Sequence, residues 1–241
     1  MRLGFLGCGT ITSAVVRGLA GRGHRITVSE RSRAQSAALA AEFGDVTVAG
    51  NQAVADASDV VFLGLMAEAA EGILSGLVLR EDQQVISFMA GAGLDRIADL
   101  TAPARAAAVM MPFPGIAQGG SPIMAMGDTR LVEQIFGPGN RVFALKDEAE
   151  LNAYLCAQAV LSPVARMVND AADWLGERVQ DRTQAEAFLR ILVASSLEKS
   201  GCADLIEALN TPGGYNQRLR QHMQEAGMCR DLVAGLDMLE R

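Results

Sequence analysis

A short apolar run, Leu3–Leu6, leads directly into Gly7-Cys8-Gly9-Thr10-Ile11-Thr12 and then into an amphipathic stretch. In such a loop Gly7 permits a tight turn, and Gly9 lets backbone come close to a bulky anion. The free N–H groups at the start of the following helix then face that anion. Strand, glycine loop and helix in this order point to a dinucleotide held by its pyrophosphate; the other reading is a turn that only joins two elements. Thr12 stands where the third glycine of G-x-G-x-x-G would be. Roughly 20 residues on, where the adenosine ribose is read, the chain has Ser29-Glu30-Arg31-Ser32-Arg33. Glu30 suits the free hydroxyls of NAD, and Arg31 and Arg33 suit the 2′-phosphate of NADP. Both cofactors stay open, as does a helix start at which the two arginines are simply solvated.

Side chains that can move a proton near neutral pH are scarce: there are nineteen Arg but only Lys146, Lys199, His24 and His222. His24 follows Arg22-Gly23 in a polar turn and is expected in solvent. His222 lies inside a helical pattern, exposed or at an interface. Hydride transfer to a ketone needs a donor for the developing alkoxide. A substrate that arrives already protonated instead leaves catalysis to positioning and electrostatics, which suits this composition better.

These residues need a scaffold. Up to about residue 145, apolar runs at Leu3–Leu6, Arg25–Ser29, Val46–Val48, Val60–Leu65, Gln84–Phe88 and Ala107–Met111 alternate with helical patterns at Thr10–Gly21, Arg33–Phe43, Asn51–Asp56, Glu68–Ser75 and Leu94–Leu100. The alternation predicts an α/β fold, a doubly wound parallel sheet of Rossmann type. Val60–Leu65 is apolar without alternation, as for a strand covered on both faces. Ile123–Met126 and Arg141–Ala144, flanking a helix at Thr129–Phe136, extend the sheet at one edge. Beyond Leu145 only helices are expected: Glu148–Leu175, Thr183–Lys199, Asp204–Leu209, Tyr215–Ala226 and Met228–Leu239. Two domains follow, residues 1–146 for the dinucleotide and an all-α domain at 147–241. The Glu148–Leu175 stretch carries Leu151, Tyr154, Leu155, Val160, Leu161, Val164, Met167 and Val168 around much of its circumference, which predicts burial against a second copy.

Composition narrows the field. A net charge of −7 argues against nucleic acid, and a 50% apolar content argues against disorder. Cys8, Cys156, Cys202 and Cys229 form no C-x-x-C pair. They are expected as reduced, small buried residues of a cytoplasmic protein, with no metal. The longest uncharged stretch, Ala106–Gly127, holds three prolines and four glycines and cannot span a membrane. A strand starting at Leu3 leaves no leader expected.

The opening Gly4-Phe5-Leu6-Gly7-Cys8-Gly9-Thr10-Ile11 closely resembles the G-F-[IL]-G-x-G-N-M start of the pyrroline-5-carboxylate reductases. Val85-Ile86-Ser87-Phe88-Met89-Ala90-Gly91-Ala92-Gly93-Leu94 is similar to their V-I-S-x-x-A-G-x-x-L. Met111-Pro112-Phe113-Pro114-Gly115-Ile116-Ala117-Gln118-Gly119-Gly120 is similar to their M-P-N-T-P-A-x-x-G-x-G with one residue fewer. Thr211-Pro212-Gly213-Gly214, then a helix and Glu225-Ala226-Gly227-Met228, resembles their S-P-G-G-T-T…E-x-G-[LF].

The resemblance implies an NAD(P)-dependent oxidoreductase that reduces a C=N bond, 1-pyrroline-5-carboxylate to L-proline in proline biosynthesis. It also implies a homodimer through the C-terminal helices, or a higher oligomer built on it. Cofactor contacts would fall on Gly7, Cys8, Gly9, Thr10, Ile11, Thr12, Glu30, Arg31, Arg33, Leu65, Met66, Ala90, Gly91, Pro112 and Phe113. The substrate carboxylate would be held by backbone amides around Gly213 and Gly214, beside Thr211, because two glycines before a helix expose N–H groups; a plain helix–helix turn is the alternative. Asn216 and Tyr215 would take the catalytic places.

Several positions depart from the family. Its Thr-Thr is Tyr215-Asn216; its Asn-Thr is contracted to Phe113; its V-K-P is Leu65-Met66-Ala67; its G-S-G-P-A-Y is Gln158-Ala159-Val160-Leu161-Ser162-Pro163. The Tyr215 phenol can donate to a substrate nitrogen or carboxylate, or else pack at the helix start. Hydroxyacid dehydrogenases resemble the chain in outline but carry a Lys where Arg166 and Asn169 lie here. An oxidoreductase for a hydroxy or keto acid, and a dinucleotide-binding sensor or scaffold without turnover, are the alternatives.

Overall fold

A computed structural model describes residues 1–240. The chain divides into two compact units, Met1–Leu151 and Asn152–Arg241. In the first, eight strands make one sheet: β1 (Arg2–Leu6), β2 (Arg25–Ser29), β3 (Val46–Ala49), β4 (Val60–Leu63), β5 (Gln84–Ser87), β6 (Arg105–Pro112), β7 (Pro122–Gly127) and β8 (Arg141–Leu145). Their order is β3-β2-β1-β4-β5-β6-β7-β8. Six helices connect them: α1 (Thr10–Leu19), α2 (Arg33–Glu42), α3 (Asn51–Asp56), α4 (Ala67–Leu74), α5 (Leu94–Thr101) and α6 (Thr129–Phe136).

The sheet is parallel from β3 to β6, antiparallel between β6 and β7, and parallel again to β8. The reversal has a simple cause. Between β6 and β7 there is only a short 3₁₀ connection, Pro114–Ala117, and a parallel return needs a crossover of about a dozen residues or more. The apolar run of β4 is buried along its whole length, as covering on both faces requires. Phe5 and Phe62 pair in register and stack at 4.6 Å, with Phe136 of α6 edge-on to Phe62 at 6.0 Å. From β1 the chain winds out to β2 and β3, then returns on the other side of β1 as β4. The loops after β1 and β4 therefore part and leave a crevice at the strand ends.

β4 stops at Leu63, two residues earlier than the apolar run suggested, with the Gly64 N–H making the last bond of the β1–β4 ladder to the Leu6 carbonyl at 2.8 Å. His24 is half-buried rather than solvated, and its Nδ1 is buried without a hydrogen-bond partner. Burial first, then the N-terminal amine and Arg22, hold this imidazole below its ordinary pKa against the opposing pull of Asp45.

The second unit is helical: α7 (Glu148–Ala157) leads into it, followed by α8 (Leu161–Gly176), α9 (Arg182–Lys199), α10 (Cys202–Ala208), α11 (Tyr215–Glu225) and α12 (Met228–Leu239). The single helix expected over Glu148–Leu175 is broken by a 3₁₀ turn at Gln158–Val160. Pro163 explains the break, since it cannot donate to the Ala159 carbonyl and its ring crowds that carbonyl. Of the described residues after Leu151, only Ala172, Gly176, Ala185 and Gly227 are buried. No large apolar side chain is. Trp174, Phe188, Ile191, Leu161 and Met238 are all more than half exposed. Cys8 alone of the four cysteines is buried; Cys156 is half-buried and Cys202 and Cys229 are exposed, so the expectation of four buried thiols fails with the coreless helical unit that carries three of them.

Candidate functional site: a glycine-lined cleft and a Pro-Gly-Gly turn

Gly7 lies at φ +88°, and a Cβ there would overlap the Gly64 carbonyl. Both conditions demand glycine. Its N–H donates to the Ser29 hydroxyl at 2.8 Å, tying the turn to the end of β2. Gly9 caps α1 in extended geometry, with open space where its Cβ would be. The first helical bond runs from the Ser13 N–H to the Gly9 carbonyl at 2.9 Å. The N–H groups of Thr10, Ile11 and Thr12 thus keep no partner in the chain. They carry the positive end of the helix dipole.

Thr12 is buried, and the residue it faces is Gly64, where any Cβ would collide with the Thr12 hydroxyl. The close helix–strand approach that a third glycine would allow is here made from the strand side. Cys8 is buried beside Ser13, its Sγ 3.8 Å from the Ser13 hydroxyl. Burial pushes its thiol pKa up, so it stays protonated and is no nucleophile near neutral pH.

The crevice forms a cleft of about 500 Å³ lined by the six residues Gly7 to Thr12, by Arg31 and Ser32, by Gly64, Leu65, Met66 and Ala69, and by Phe88, Met111 and Pro112. Ten of the sequence-predicted cofactor residues meet there: Gly7 to Thr12, Arg31, Leu65, Met66 and Pro112. Glu30, Arg33, Ala90, Gly91 and Phe113 do not line it. Glu30 opens an exposed 3₁₀ turn whose second and third residues, Arg31 and Ser32, reach the cleft instead. Sequence reasoning missed five of the lining residues, Ser32, Gly64, Ala69, Phe88 and Met111, and Ser29, which braces the Gly7 turn from behind. A glycine directly after β4 and a serine ending β2 were the available signals. The residues present fit a dinucleotide: unpaired amides for phosphates, open space before Gly9, an Arg at the ribose end and apolar walls.

In the second unit Gly213 lies at φ +72°. The amides of Gly213 and Gly214 were expected free for an anion. Both are already used. The Gly213 N–H donates to Gln217 Oε1 at 2.8 Å, and the Gly214 N–H donates to the Thr211 carbonyl at 2.9 Å. Because α11 makes its first internal bond from the Arg218 N–H to the Gly214 carbonyl, the amides left unpaired are those of Tyr215, Asn216 and Gln217. Tyr215 is 90% exposed, so it does not pack at the helix start. Asn216 is exposed and Thr211 is exposed. Arg166 pairs with Asp170 at 2.7 Å on the surface of α8. Among the described residues no three His, Cys, Asp or Glu side chains converge as a metal site, and no helix is long and apolar enough to cross a membrane.

The family model described as "NADP oxidoreductase coenzyme F420-dependent" matches residues 2–91. A pyrroline-5-carboxylate reductase of Escherichia coli (strain K12) is 33% identical over 105 residues, 40% of this chain and 38% of that protein. The aligned part is well under half of the curated relative's length. Among solved structures, the 1-pyrroline-5-carboxylate reductase of Streptococcus pyogenes superposes with a TM-score of 0.84 at 21% identity, over 100% of this chain and 96% of that one. The chain has the pyrroline-5-carboxylate reductase fold. A Plasmodium falciparum pyrroline carboxylate reductase with NADP bound shares this fold at a TM-score of 0.80 and 14% identity, over 100% and 95% of the two chains. The family match ends before α5. The Pro-Gly-Gly turn that opens α11 is therefore reached through likeness of fold alone.

Proposed function

We propose that this chain is an NADPH-dependent imine reductase that converts 1-pyrroline-5-carboxylate to L-proline. The observation that carries the reading is the composition of the cleft: unpaired helix-start amides, one Arg, apolar walls, and no Lys, His, Tyr, Asp or Glu. Bound NADPH supplies a hydride. The amides of Thr10, Ile11 and Thr12 hold its pyrophosphate. Arg31 and Ser32 hold the 2′-phosphate, since they line the cleft and Glu30 does not. A cleft without Lys, His or Tyr side chains suits an imine nitrogen, which carries its own proton.

The substrate carboxylate is assigned to the amides of Tyr215, Asn216 and Gln217, next to Gly213, Gly214 and Thr211. The Tyr215 phenol and the Asn216 carboxamide donate to or orient the substrate. The hydroxy-acid alternative is disfavoured because Arg166, in the place of a catalytic Lys, is tied to Asp170 and cannot give up a proton near pH 7. A sensor with a blocked cleft is disfavoured because Phe113 does not line the cleft.

Two copies are assigned to the working unit. A helical unit with no large buried apolar side chain needs a partner to bury Trp174, Phe188 and Ile191. A cytoplasmic setting agrees with four thiols outside any disulfide. Purified protein mixed with NADPH and 1-pyrroline-5-carboxylate is expected to oxidise NADPH, and light scattering is expected to give at least a dimer at micromolar concentration. Protein that binds NADPH yet leaves it unoxidised with this substrate removes the reading.

A further inference from the structure

The Gly213 amide has an internal occupant. Gln217, one turn into α11, reaches back so that its Oε1 accepts the Gly213 N–H at 2.8 Å. Its Nε2 donates to Asn210 Oδ1 at 3.2 Å. The same Asn210 oxygen accepts from Arg220 Nη2 at 2.6 Å, while Arg220 Nη1 donates to the Ile206 carbonyl at 3.2 Å. Asn210 is thus held by Arg220 whether or not Gln217 stays in place. The turn has a second lock of its own in the Gly214–Thr211 backbone bond. Removing the Gln217 contact therefore leaves the turn anchored by Arg220 and by the backbone.

A carboxamide oxygen is a neutral acceptor, and a carboxylate oxygen on the same N–H makes a charge-assisted bond about twice as strong. We propose that Gln217 is a displaceable internal ligand that competes with the substrate carboxylate for the Gly213 amide. The inference rests on the imine-reductase reading, which places the carboxylate at this helix start. In the resting chain the carboxylate meets the amides of Tyr215, Asn216 and Gln217. To gain the Gly213 N–H it has to turn the Gln217 side chain out. That side chain lies only partly buried, so the rotation is open to it. Gln217 tunes affinity for the carboxylate and takes no part in the chemistry.

The test compares the wild type with Gln217→Leu and Gln217→Glu, each saturated with NADP⁺, in calorimetric titrations with L-proline as the carboxylate probe. Leucine removes the competing acceptor at similar size. One net hydrogen bond converts to a gain of about 2- to 10-fold in proline affinity, and KM for 1-pyrroline-5-carboxylate is expected to fall by a similar factor. Glutamate keeps the acceptor and adds charge, so affinity is expected to drop about tenfold and to recover as pH falls and the new carboxyl protonates. A residue that merely braces the turn gives the opposite signs, weaker binding for leucine and near-wild-type binding for glutamate. That result, or no change in either variant, overturns the proposal. Wild-type turnover of 1-pyrroline-5-carboxylate separates the two levels: turnover with unmoved variants refutes the competition alone, whereas no turnover and no proline binding in any of the three proteins refutes the function reading and this proposal together.

Discussion

The Gly7 N–H donates to the Ser29 hydroxyl at 2.8 Å, and both groups are buried. One bond thereby couples the tight turn after β1 to the end of β2, the place from which Arg31 and Ser32 enter the cleft. The hydroxyl adds one bond to the β1–β2 ladder at the cleft end of the two strands. Ser29→Ala leaves a buried N–H without a partner, which costs about 1–3 kcal/mol. Denaturant unfolding is expected to show that loss, and NADPH titration a weaker affinity; a variant as stable as the wild type refutes the coupling.

Thr12 and Gly64 share one space. Gly64→Ala is expected to destabilise the first unit by about 1–3 kcal/mol through overpacking. Thr12→Gly in the same chain is expected to relieve part of that loss, giving a coupling energy of about 0.5–3 kcal/mol in a double-mutant cycle. Additive losses in denaturant unfolding contradict the contact.

Arg31 lines the cleft and Arg33 does not. Losing a charged hydrogen bond to the 2′-phosphate is worth about 1.5–3 kcal/mol, so Arg31→Ala is expected to weaken NADPH binding tenfold or more and NADH binding little. Arg33→Ala is expected to change neither. Fluorescence titration with both cofactors decides the matter, and equal losses for NADPH and NADH count against the assignment.

His24 is held below its ordinary pKa of 6.5, first by burial. The folded chain therefore keeps it neutral at a pH where the unfolded chain protonates it. Its contribution to stability is intact above pH 6.5 and is lost as pH falls through 6.5 toward the lower folded value. Unfolding measured between pH 8 and pH 5.5 is expected to show a decline on the acid side that His24→Gln reduces. An identical decline in both proteins refutes the role of His24.

Legibility in the sequence followed the range of the interactions. The loop from Gly7 to Thr12 could be read because its meaning lies in the adjoining strand and helix. The Ser29 and Gly64 contributions are contacts between distant segments and leave no periodic trace. The order β3-β2-β1-β4 follows from alternating elements, but the antiparallel β7 depended on how little chain the β6–β7 connection contains. Over Glu148–Leu175 the apolar circumference pointed to one helix, and the break by Pro163 is a local steric effect that outweighs it. At the Pro-Gly-Gly turn, glycine composition pointed to open amides. What closed them was the Thr211 carbonyl at Gly214 and, at Gly213, the side chain of Gln217, whose reach back depends on rotamer choice rather than spacing. The apolar circumference of α8 was visible as a pattern, yet a pattern does not say what covers it.

The central claim, reduction of the imine 1-pyrroline-5-carboxylate by NADPH, is tested most directly by counting product against cofactor. With 1-pyrroline-5-carboxylate and limiting NADPH, amino-acid analysis is expected to find one L-proline for each NADPH oxidised. Bound NADPH that remains reduced, or oxidation without proline, contradicts the account.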